Sequence, residues 1–289
     1  MVQLIQLRNR IKAIETIKKI THAMRLISMS SHSRLKHKEE PLHNYKNTVS
    51  SLFNTLQKLT PEWENSILAP QSEEKNQLII LIGSSKGLCG SFNTTLFHHF
   101  KFYAHQHNLI LNDAHIVTIG KRAHNYITEH AIGATETSLE ELTSKTLTPL
   151  AHKLADIIVN APKPFTSVLV FSNFLKSFFT QKPETTILIP FEINMQLPQA
   201  SHGNAQDLEE YRWEQKPEEI LDILVKQCVD ANVQHILFQS LIAEHAARFL
   251  SMDNSTRNAQ NLLDRTKLDY NKLRQTKITK ELSELIGSY

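Results

Sequence analysis

The sequence predicts an α/β protein in which long N- and C-terminal helices form an antiparallel coiled coil, joined to a small doubly wound α/β domain. Three observations predict this fold: the positions of glycine and proline, a 3.5-residue apolar spacing near the C-terminus, and alternating strand and helix patterns between the termini. None of the seven glycines lies in residues 1–82 or 204–286, and Pro217 is the last proline. Residues 218–286 thus lack a helix breaker, and as one helix they would be roughly 100 Å long.

A helix of that length must extend beyond any compact domain of this chain, whose radius of gyration would be about 20 Å. Its apolar positions alternate steps of three and four residues, which is coiled-coil spacing. The stripe consists of Phe249, Met252, Thr256, Ala259, Leu263, Thr266, Tyr270 and Leu273. After Leu273 the phase slips by one residue, to Ile278, Leu282 and Leu285. The slip predicts a change of packing partner.

The N-terminal segment, residues 1–60, is expected to form the other coiled-coil helix. Its apolar series is Leu4, Leu7, Ile11, Ile14, Ile17, Ile20, Met24 and Ile27. Successive three-residue steps from Ile11 to Ile20 make this stripe drift around the helix. Pro41 predicts an end, an interruption or a kink of the helix.

Short apolar runs between residues 76 and 195 predict the doubly wound α/β domain. The predicted strands are 78–83, 115–120, 167–172 and 185–190. Helical patterns at 92–107 and 147–160 lie between them. The polar stretch from Pro198 to Pro217 is the expected linker to the C-terminal helix, residues 217–286.

Composition excludes several classes of protein. The chain is 40% hydrophobic and 21% charged, which fits neither a disordered nor a collagen-like protein. Two cysteines, Cys89 and Cys228, are too few for a disulfide framework and fit a reducing compartment. We find no signal-peptide core, no long organelle-import leader and no run of 18 uncharged apolar residues. Neither secretion nor a direct membrane span is therefore expected.

Charge is concentrated near the N-terminus. Residues 1–40 contain nine Lys or Arg residues against three Glu residues. Such an excess predicts an acidic partner, and a solvated helix face is the alternative.

No motif for catalysis or cofactor binding stands out. The loop 83–90 lies between a predicted strand and a predicted helix, where phosphate loops occur, but it lacks Walker A and Gly-x-Gly-x-x-Gly spacing. Cys89 has no identifiable base or resolving thiol, so we expect a structural role. Among the fifteen histidines, His98 and His105 share a helix face without a third ligand at suitable spacing. We expect no cofactor and no metal.

Three motifs resemble those of a known family. Lys19-Ile-Thr-His-Ala-Met24 is similar to Lys-Ile-Thr-Lys-Ala-Met, and Lys86-Gly-Leu-Cys-Gly-Ser-Phe-Asn93 to Arg/Lys-Gly-Leu-Cys-Gly-x-Phe/Leu-Asn. Near the end, Glu244-His-Ala-Ala-Arg248 and the segment from Tyr270 to Leu282 resemble Glu-x-Ala-Ala-Arg and Tyr-Asn-Lys-x-Arg-Gln-x-x-Ile-Thr-x-Glu-Leu. In order and spacing, these motifs resemble those of the gamma subunit of F-type ATP synthases.

The resemblance implies a non-catalytic rotor shaft that couples proton flow to ATP synthesis in the beta subunits. Its implied partners are the alpha and beta subunits of the catalytic head, the epsilon subunit and the membrane rotor ring of c subunits. Its implied location is the cytoplasmic face of the bacterial inner membrane, as a peripheral protein. The family's partner-contacting positions correspond to Met24, Glu244 and Arg248 at the lower collar, and to Arg274, Gln275 and Thr279 at loops of the beta subunit.

Two further expectations concern these residues. Glu244 and Arg248 are four residues apart on the long helix and should form an exposed ion pair. If Met24 lies beside Glu244–Arg248, as the resemblance implies, the register of the antiparallel coil follows. The facing pairs are then Leu7 with Leu263, Ile11 with Ala259, Ile14 with Thr256, and Ile20 with Phe249, with residues from about 270 onward projecting as a single helix.

The chain also departs from the family pattern. Ser28-Met29-Ser30-Ser31-His32 replaces Ala-Ala-Ser-Lys-Met, and Ser85-Lys86 replaces a frequent Asp-Arg. A divergent lineage and a second, specialised synthase both fit these differences.

Two rival functions remain open at this stage. A nucleic-acid-binding coiled coil would use the basic N-terminal helix on phosphates, although residues 1–40 lack interleaved aromatic residues or a reading motif. An enzyme would use the α/β domain, which lacks a phosphate signature.

Overall fold

The computed structural model describes residues 2–286 except 61, 64, 66–75, 110, 112–113, 131, 133 and 191–215. Two long helices, α1 (Val2–Leu59) and α5 (Pro217–Ile286), enclose the α/β region in sequence. The elements between them are β1 (Gln77–Ile82), α2 (Phe92–Gln106), β2 (His115–Ile119), α3 (Lys121–Glu129), β3 (Ala134–Leu139), α4 (Leu147–Val159), β4 (Ser167–Ser177) and β5 (Thr180–Ile189). The predicted fold class is confirmed.

The sheet has the order β3-β2-β1-β4-β5, with the first four strands parallel and β5 antiparallel to β4. Two elements were not predicted, strand β3 and helix α3. The last strand was predicted to begin at residue 185 and to lie among parallel strands, but β5 begins at Thr180 and forms a hairpin with β4. Its first half is polar and largely exposed, so it lacks the apolar run by which a buried strand is recognised.

Alternate residues of β1 face two separate cores. Leu78, Ile80 and Ile82 pack in the core that contains α4 and α5, whereas Ile79 and Leu81 pack in the core that contains α2 and α3. Helices therefore cover both faces of the sheet, as a doubly wound fold requires. Because α5 is one of these covering helices, the shaft is itself a layer of the domain.

Helix α1 continues through Pro41 to Leu59, so it neither ends nor is interrupted at the proline. Proline removes one backbone hydrogen bond from a helix. Burial of Leu35 before it, and of Val49 and Phe53 after it, stabilises the helix on both sides.

The predicted stripe on α5 is confirmed, because each of its members from Phe249 to Leu273 is buried or half-buried. The predicted stripe on α1 is partly wrong. Ile14 is buried, but Ile17 and Ile20 are each 53% exposed and Ile27 is 57% exposed. The polar residues Thr21 and Ser28 are buried in the seam instead.

The helices are antiparallel, but the predicted register is wrong by one heptad at the centre of the coil. Thr256 Oγ1 donates a hydrogen bond to Thr21 Oγ1 at 2.9 Å, whereas Ile14 had been expected opposite Thr256. Arg25 pairs with Asp253 at 2.6 Å on the next turn. The expected pair of Ile20 with Phe249 is also wrong, since Ile20 faces outward. A shift of one heptad still brings each seam position opposite another seam position, so the apolar pattern does not exclude it.

Beyond Leu273 the helix α5 projects as expected. Ile278, Leu282 and Leu285 are 49%, 55% and 63% exposed, as expected for a helix that extends past the start of α1. The phase slip therefore marks the point where the internal partner ends.

Gly120 joins β2 directly to α3 at a point of close backbone approach. Its φ is +85°, and a Cβ there would lie 2.3 Å from the carbonyl oxygen of Gly83. Only glycine fits such a position.

We expect Gly120→Ala to destabilise the chain by at least about 3 kcal/mol, because both the backbone angle and the contact with Gly83 are incompatible with a side chain. Gly87→Ala is the matched control, since its added Cβ meets only the end of the Arg122 side chain, at 3.2 Å. Urea unfolding followed by circular dichroism measures both variants. Equal midpoints for the two would contradict the prediction.

Candidate functional site

The loop between β1 and α2 is held together by polar side chains. Asn93, at the start of α2, accepts a hydrogen bond from the Ser84 backbone N–H at 2.9 Å and donates to Ser84 Oγ at 2.8 Å. Its amide also donates to Cys89 Sγ at 3.3 Å. Ser84 and Cys89 are both buried. The middle motif of the sequence thus forms a closed structural loop, in which Cys89 is an internal partner.

Arg248 of α5 attaches this loop to the shaft. Its Nε donates to the Gly87 carbonyl at 3.2 Å and its Nη2 to the Lys86 carbonyl at 3.1 Å. Nη2 also donates to the carboxylate of Glu244. Arg248 is 4% exposed and Glu244 is 8% exposed, so the expectation of an exposed pair is wrong. The loop and its two residues on α5, Glu244 and Arg248, form what we call the domain–shaft junction.

The electrostatics of the domain–shaft junction follow from this burial. Burial raises the pKa of the Glu244 carboxyl, and the charge of Arg248 and its hydrogen bond oppose that rise. The loop directs carbonyl oxygens at a cation, which is the reverse of the N–H groups that a phosphate requires. The junction is therefore built to join two parts of the chain.

The tip of α5 carries the other three partner-contacting positions inferred from sequence. Arg274, Gln275 and Thr279 are all exposed. Thr279 Oγ1 donates to the Gln275 carbonyl within the helix at 3.0 Å. Arg274 follows Arg248 by 26 residues, about 39 Å along the helix. The tip is thus a separate site from the domain–shaft junction.

Met24 lies at a third place. It is half-buried on α1, and its neighbour Arg25 pairs with Asp253. The observed register offsets Met24 from Arg248 by more than one turn of α5, whereas the predicted register put the two side by side. His32 and Arg34 of α1 instead lie close enough to this part of α5 to lower the pKa of His245, and the sequence did not predict their place there.

A surface that sequence reasoning assigned to the seam lies on the outer face of α1. It consists of the exposed residues Ile17, Ile20 and Ile27. The signal was the run of three-residue steps, which carries a stripe away from a fixed seam. These isoleucines are available to another subunit.

In the part of the chain that the structure describes, no group of three or more His, Cys, Asp or Glu residues is arranged to hold a metal ion. No helix formed by the described residues is both long enough and apolar enough to cross a membrane.

We expect Arg248→Ala to cost about 3–5 kcal/mol of stability, because it leaves Glu244 buried without its counter-ion and frees two loop carbonyls. Arg274→Ala, on the exposed tip, should change stability by less than about 0.5 kcal/mol. Urea unfolding of the full chain distinguishes them. The double variant Glu244→Gln/Arg248→Met should lose less than Arg248→Ala, and similar midpoints for Arg248→Ala and Arg274→Ala would refute the proposed role.

Comparison with known sequences gives a consistent picture. A family model described as ATP synthase matches residues 3–289. The ATP synthase gamma chain of Pelagibacter ubique is 28% identical over 292 residues, covering 99% of this chain and 98% of that protein. The ATP synthase gamma chain of Bdellovibrio bacteriovorus is 26% identical over 292 residues, with the same coverage.

Solved structures of similar fold support the architecture. A chain of the Euglena gracilis mitochondrial ATP synthase, solved as OSCP, F1 and c-ring, has a TM-score of 0.62 at 15% identity, covering 99% of this chain and 93% of that one. A chain of the Tetrahymena thermophila mitochondrial ATP synthase central stalk and c-ring has a TM-score of 0.56 at 18% identity, covering 81% and 98%. From the family match over nearly its whole length, the chain belongs to the ATP synthase family that includes these gamma chains.

Proposed function

We propose that this chain is the gamma subunit of an F-type ATP synthase, the central rotor shaft that couples proton flow to ATP synthesis in the beta subunits. The observation that carries the proposal is the tip of α5. Residues beyond Leu273 form a single helix with exposed Ile278, Leu282 and Leu285. Exposed apolar side chains on an isolated helix require a surrounding partner.

The upper shaft fits inside a ring of alpha and beta subunits. The tip offers apolar side chains to a collar, and Arg274, Gln275 and Thr279 offer exposed polar contacts to loops of the beta subunit. The exposed isoleucines Ile17 and Ile20 extend the contact surface along α1. Exposed ion pairs each contribute about 0–1 kcal/mol, which is weak enough for the contacts to exchange as the shaft turns.

The lower end of the shaft fits the membrane side of the complex. The α/β domain covers one side of the coil, so the shaft is asymmetric about its long axis. We assign this domain to contacts with the epsilon subunit and the ring of c subunits, at the cytoplasmic face of the bacterial inner membrane. Met24, Glu244 and Arg248 belong to the lower collar in this arrangement, with Glu244 and Arg248 acting through the loop that they hold.

The mechanism requires no catalytic group on this chain. Rotation brings different faces of an asymmetric shaft to each beta subunit in turn, and the nucleotide affinity of each follows the face that it meets. An element that resists twisting must connect the ring of c subunits to the catalytic head. The continuous helix α5 is such an element. The comparisons give no support to the nucleic-acid-binding alternative.

We expect the purified chain to show no ATPase activity and no one-to-one binding of nucleotide. The physical reason is that the loop after β1 directs the Lys86 and Gly87 carbonyls at Arg248 and commits the Ser84 N–H to Asn93. Isothermal titration calorimetry with ATP and magnesium tests this. A micromolar site at one per chain would contradict the shaft assignment.

We expect Arg274→Glu to weaken assembly with alpha and beta subunits about tenfold, equivalent to about 1.4 kcal/mol, because it replaces a cation where acidic loops are expected. The circular dichroism of the isolated chain should not change, since Arg274 is exposed. Lys101→Glu, the same charge change at an exposed position of helix α2, is the control. Normal assembly and coupled turnover of the Arg274→Glu complex would remove this residue from the interface.

A further inference from the structure

The section of the coiled coil beside the α/β domain contains two pairs of histidines, with one member of each pair on each helix. We call these pairs the histidine layers. In one, His43 of α1 and His235 of α5 have ring centroids 5.8 Å apart. In the other, His32 of α1 lies close enough to His245 of α5 to affect its titration. The Thr21–Thr256 register, continued eleven residues along both helices, brings the same two histidines opposite each other.

His32 is buried and His245 half-buried in their layer, and both rings are incompletely hydrogen-bonded. His32 is 8% exposed, and its Nε2 has no hydrogen-bond partner in the described part of the chain. The Nδ1 of His245 is likewise buried without a partner there. Neutral imidazole tolerates such a site far better than imidazolium, because an uncompensated buried charge is much more costly than an unmade hydrogen bond.

The same layer holds the β4–β5 hairpin on the shaft. The ring of Phe178, at the hairpin turn, meets His32 edge-on at a centroid distance of 4.9 Å. The same ring also contacts Phe249 of α5, at a centroid distance of 5.3 Å. Phe178 therefore packs against both helices of the coil, and any movement of His32 alters this contact.

Most charges that face the histidine layers are positive. His245 faces Arg248 on its own helix, His32 and Arg34 on α1, and Lys86 in the loop. Glu244, the nearest acid on α5, is committed to Arg248.

His32 and His235 have surroundings similar to those of His245. His32 faces the positive charge of Lys36, whose effect on its pKa is opposed by Glu39. His235 faces Lys46 and His43, again with Glu39 opposing them. A second positive charge in either layer would therefore meet net repulsion as well as desolvation.

We propose that the histidine layers are an acid-sensitive lock that closes α1, α5 and the β4–β5 hairpin while His32, His235 and His245 are neutral and opens when these rings are protonated. The ligand of this site is the proton. Opening would loosen the α/β domain from the shaft. It would not unwind the part of the coil formed by residues before Thr21 and after Thr256, where the described seam has no histidine. The lock would thus act on the connection between the foot of the shaft and its upper part.

The direction of the pH dependence follows from the titration of the buried rings. Burial, followed by the neighbouring cations, lowers the pKa of His245 from 6.5 to about 4, and burial likewise lowers the pKa of His235 to about 4. Burial also lowers the pKa of His32. The folded-state pKa values of these rings lie below the unfolded value of 6.5, so their contribution to the stability of the lock is fully present above pH 6.5. This contribution is lost as the pH falls from about 6.5 towards 4, and the loss levels off there.

Hydrogen exchange of the full chain at pH 7.5 and pH 5.0, corrected for intrinsic rates, tests the proposal. One histidine with a pKa of about 4 folded and 6.5 unfolded shifts an opening equilibrium roughly 25-fold over this range. We expect at least about tenfold loss of protection in residues 28–46 and in the hairpin. Protection of residues 7–21 and 252–266 should change less than about twofold. A uniform loss across all of these segments, or no loss in any, would overturn the lock.

Two variants and one spectroscopic measurement complete the test. His32→Gln/His245→Gln removes the titrating groups of one layer while keeping polar side chains, so the pH response of residues 28–46 should fall at least about fivefold. His37→Gln, an exposed histidine on the same helix, should keep the parent response. If the double variant does not fold, NMR titration of the parent histidines decides: a pKa of His245 clearly below 6.5, with that of His32 also lowered, supports the lock, and unshifted values near 6.5 overturn it. These readouts use the isolated chain, so they are independent of the proposed rotor function.

Discussion

The structure depends on one constraint: a 70-residue helix is stable in water only where something covers its apolar side chains. The rest of the chain covers α5 by different amounts along its length. Between Ile236 and Arg248 it is buried or half-buried at every position, between α1 and the sheet. From Phe249 to Leu273 only its seam is covered, by α1, and beyond Leu273 nearly all of its described side chains are exposed. The gradient of burial divides one helix into an anchor, a shaft and a tip.

The shaft section has a polar seam, which fixes register at a cost in stability. Thr21, Ser28 and Thr256 occupy positions where a stable coiled coil would have leucine, and Arg25 and Asp253 pair beside them. The Thr21–Thr256 hydrogen bond and the Arg25–Asp253 ion pair cross the coil, so a shift of register would break both, and these residues therefore specify one alignment. Isoleucines lie on the outer face of α1 instead, where they can meet other subunits.

The sequence alone predicts the fold class, because a long segment without glycine or proline is compatible with few structures other than a helix. In the same way, short apolar runs are compatible with few structures other than buried strands. The sequence predicts the stripe of α5 in full but that of α1 only in part, since isoleucines on an outer contact surface cannot be distinguished from seam isoleucines by pattern. Strand β3, with the sequence Ala-Thr-Glu-Thr-Ser-Leu, has no apolar run to reveal it. The register was wrong by a heptad, a shift that preserves the seam. Burial of Glu244 and Arg248 was missed because four-residue spacing describes only their own helix.

The domain–shaft junction explains why the loop motif and the Glu244–Arg248 motif, although distant in sequence, form one structural unit. Lys86 and Gly87 lie more than 150 residues from Arg248 in sequence, yet their carbonyls accept its hydrogen bonds. Each motif alone is incomplete: the loop would leave carbonyls unpaired, and α5 would carry a buried carboxylate and guanidinium with no other partner. A shaft that transmits torque to a domain needs a contact that resists sliding. Directional hydrogen bonds from a planar guanidinium provide this resistance, whereas apolar packing alone permits sliding.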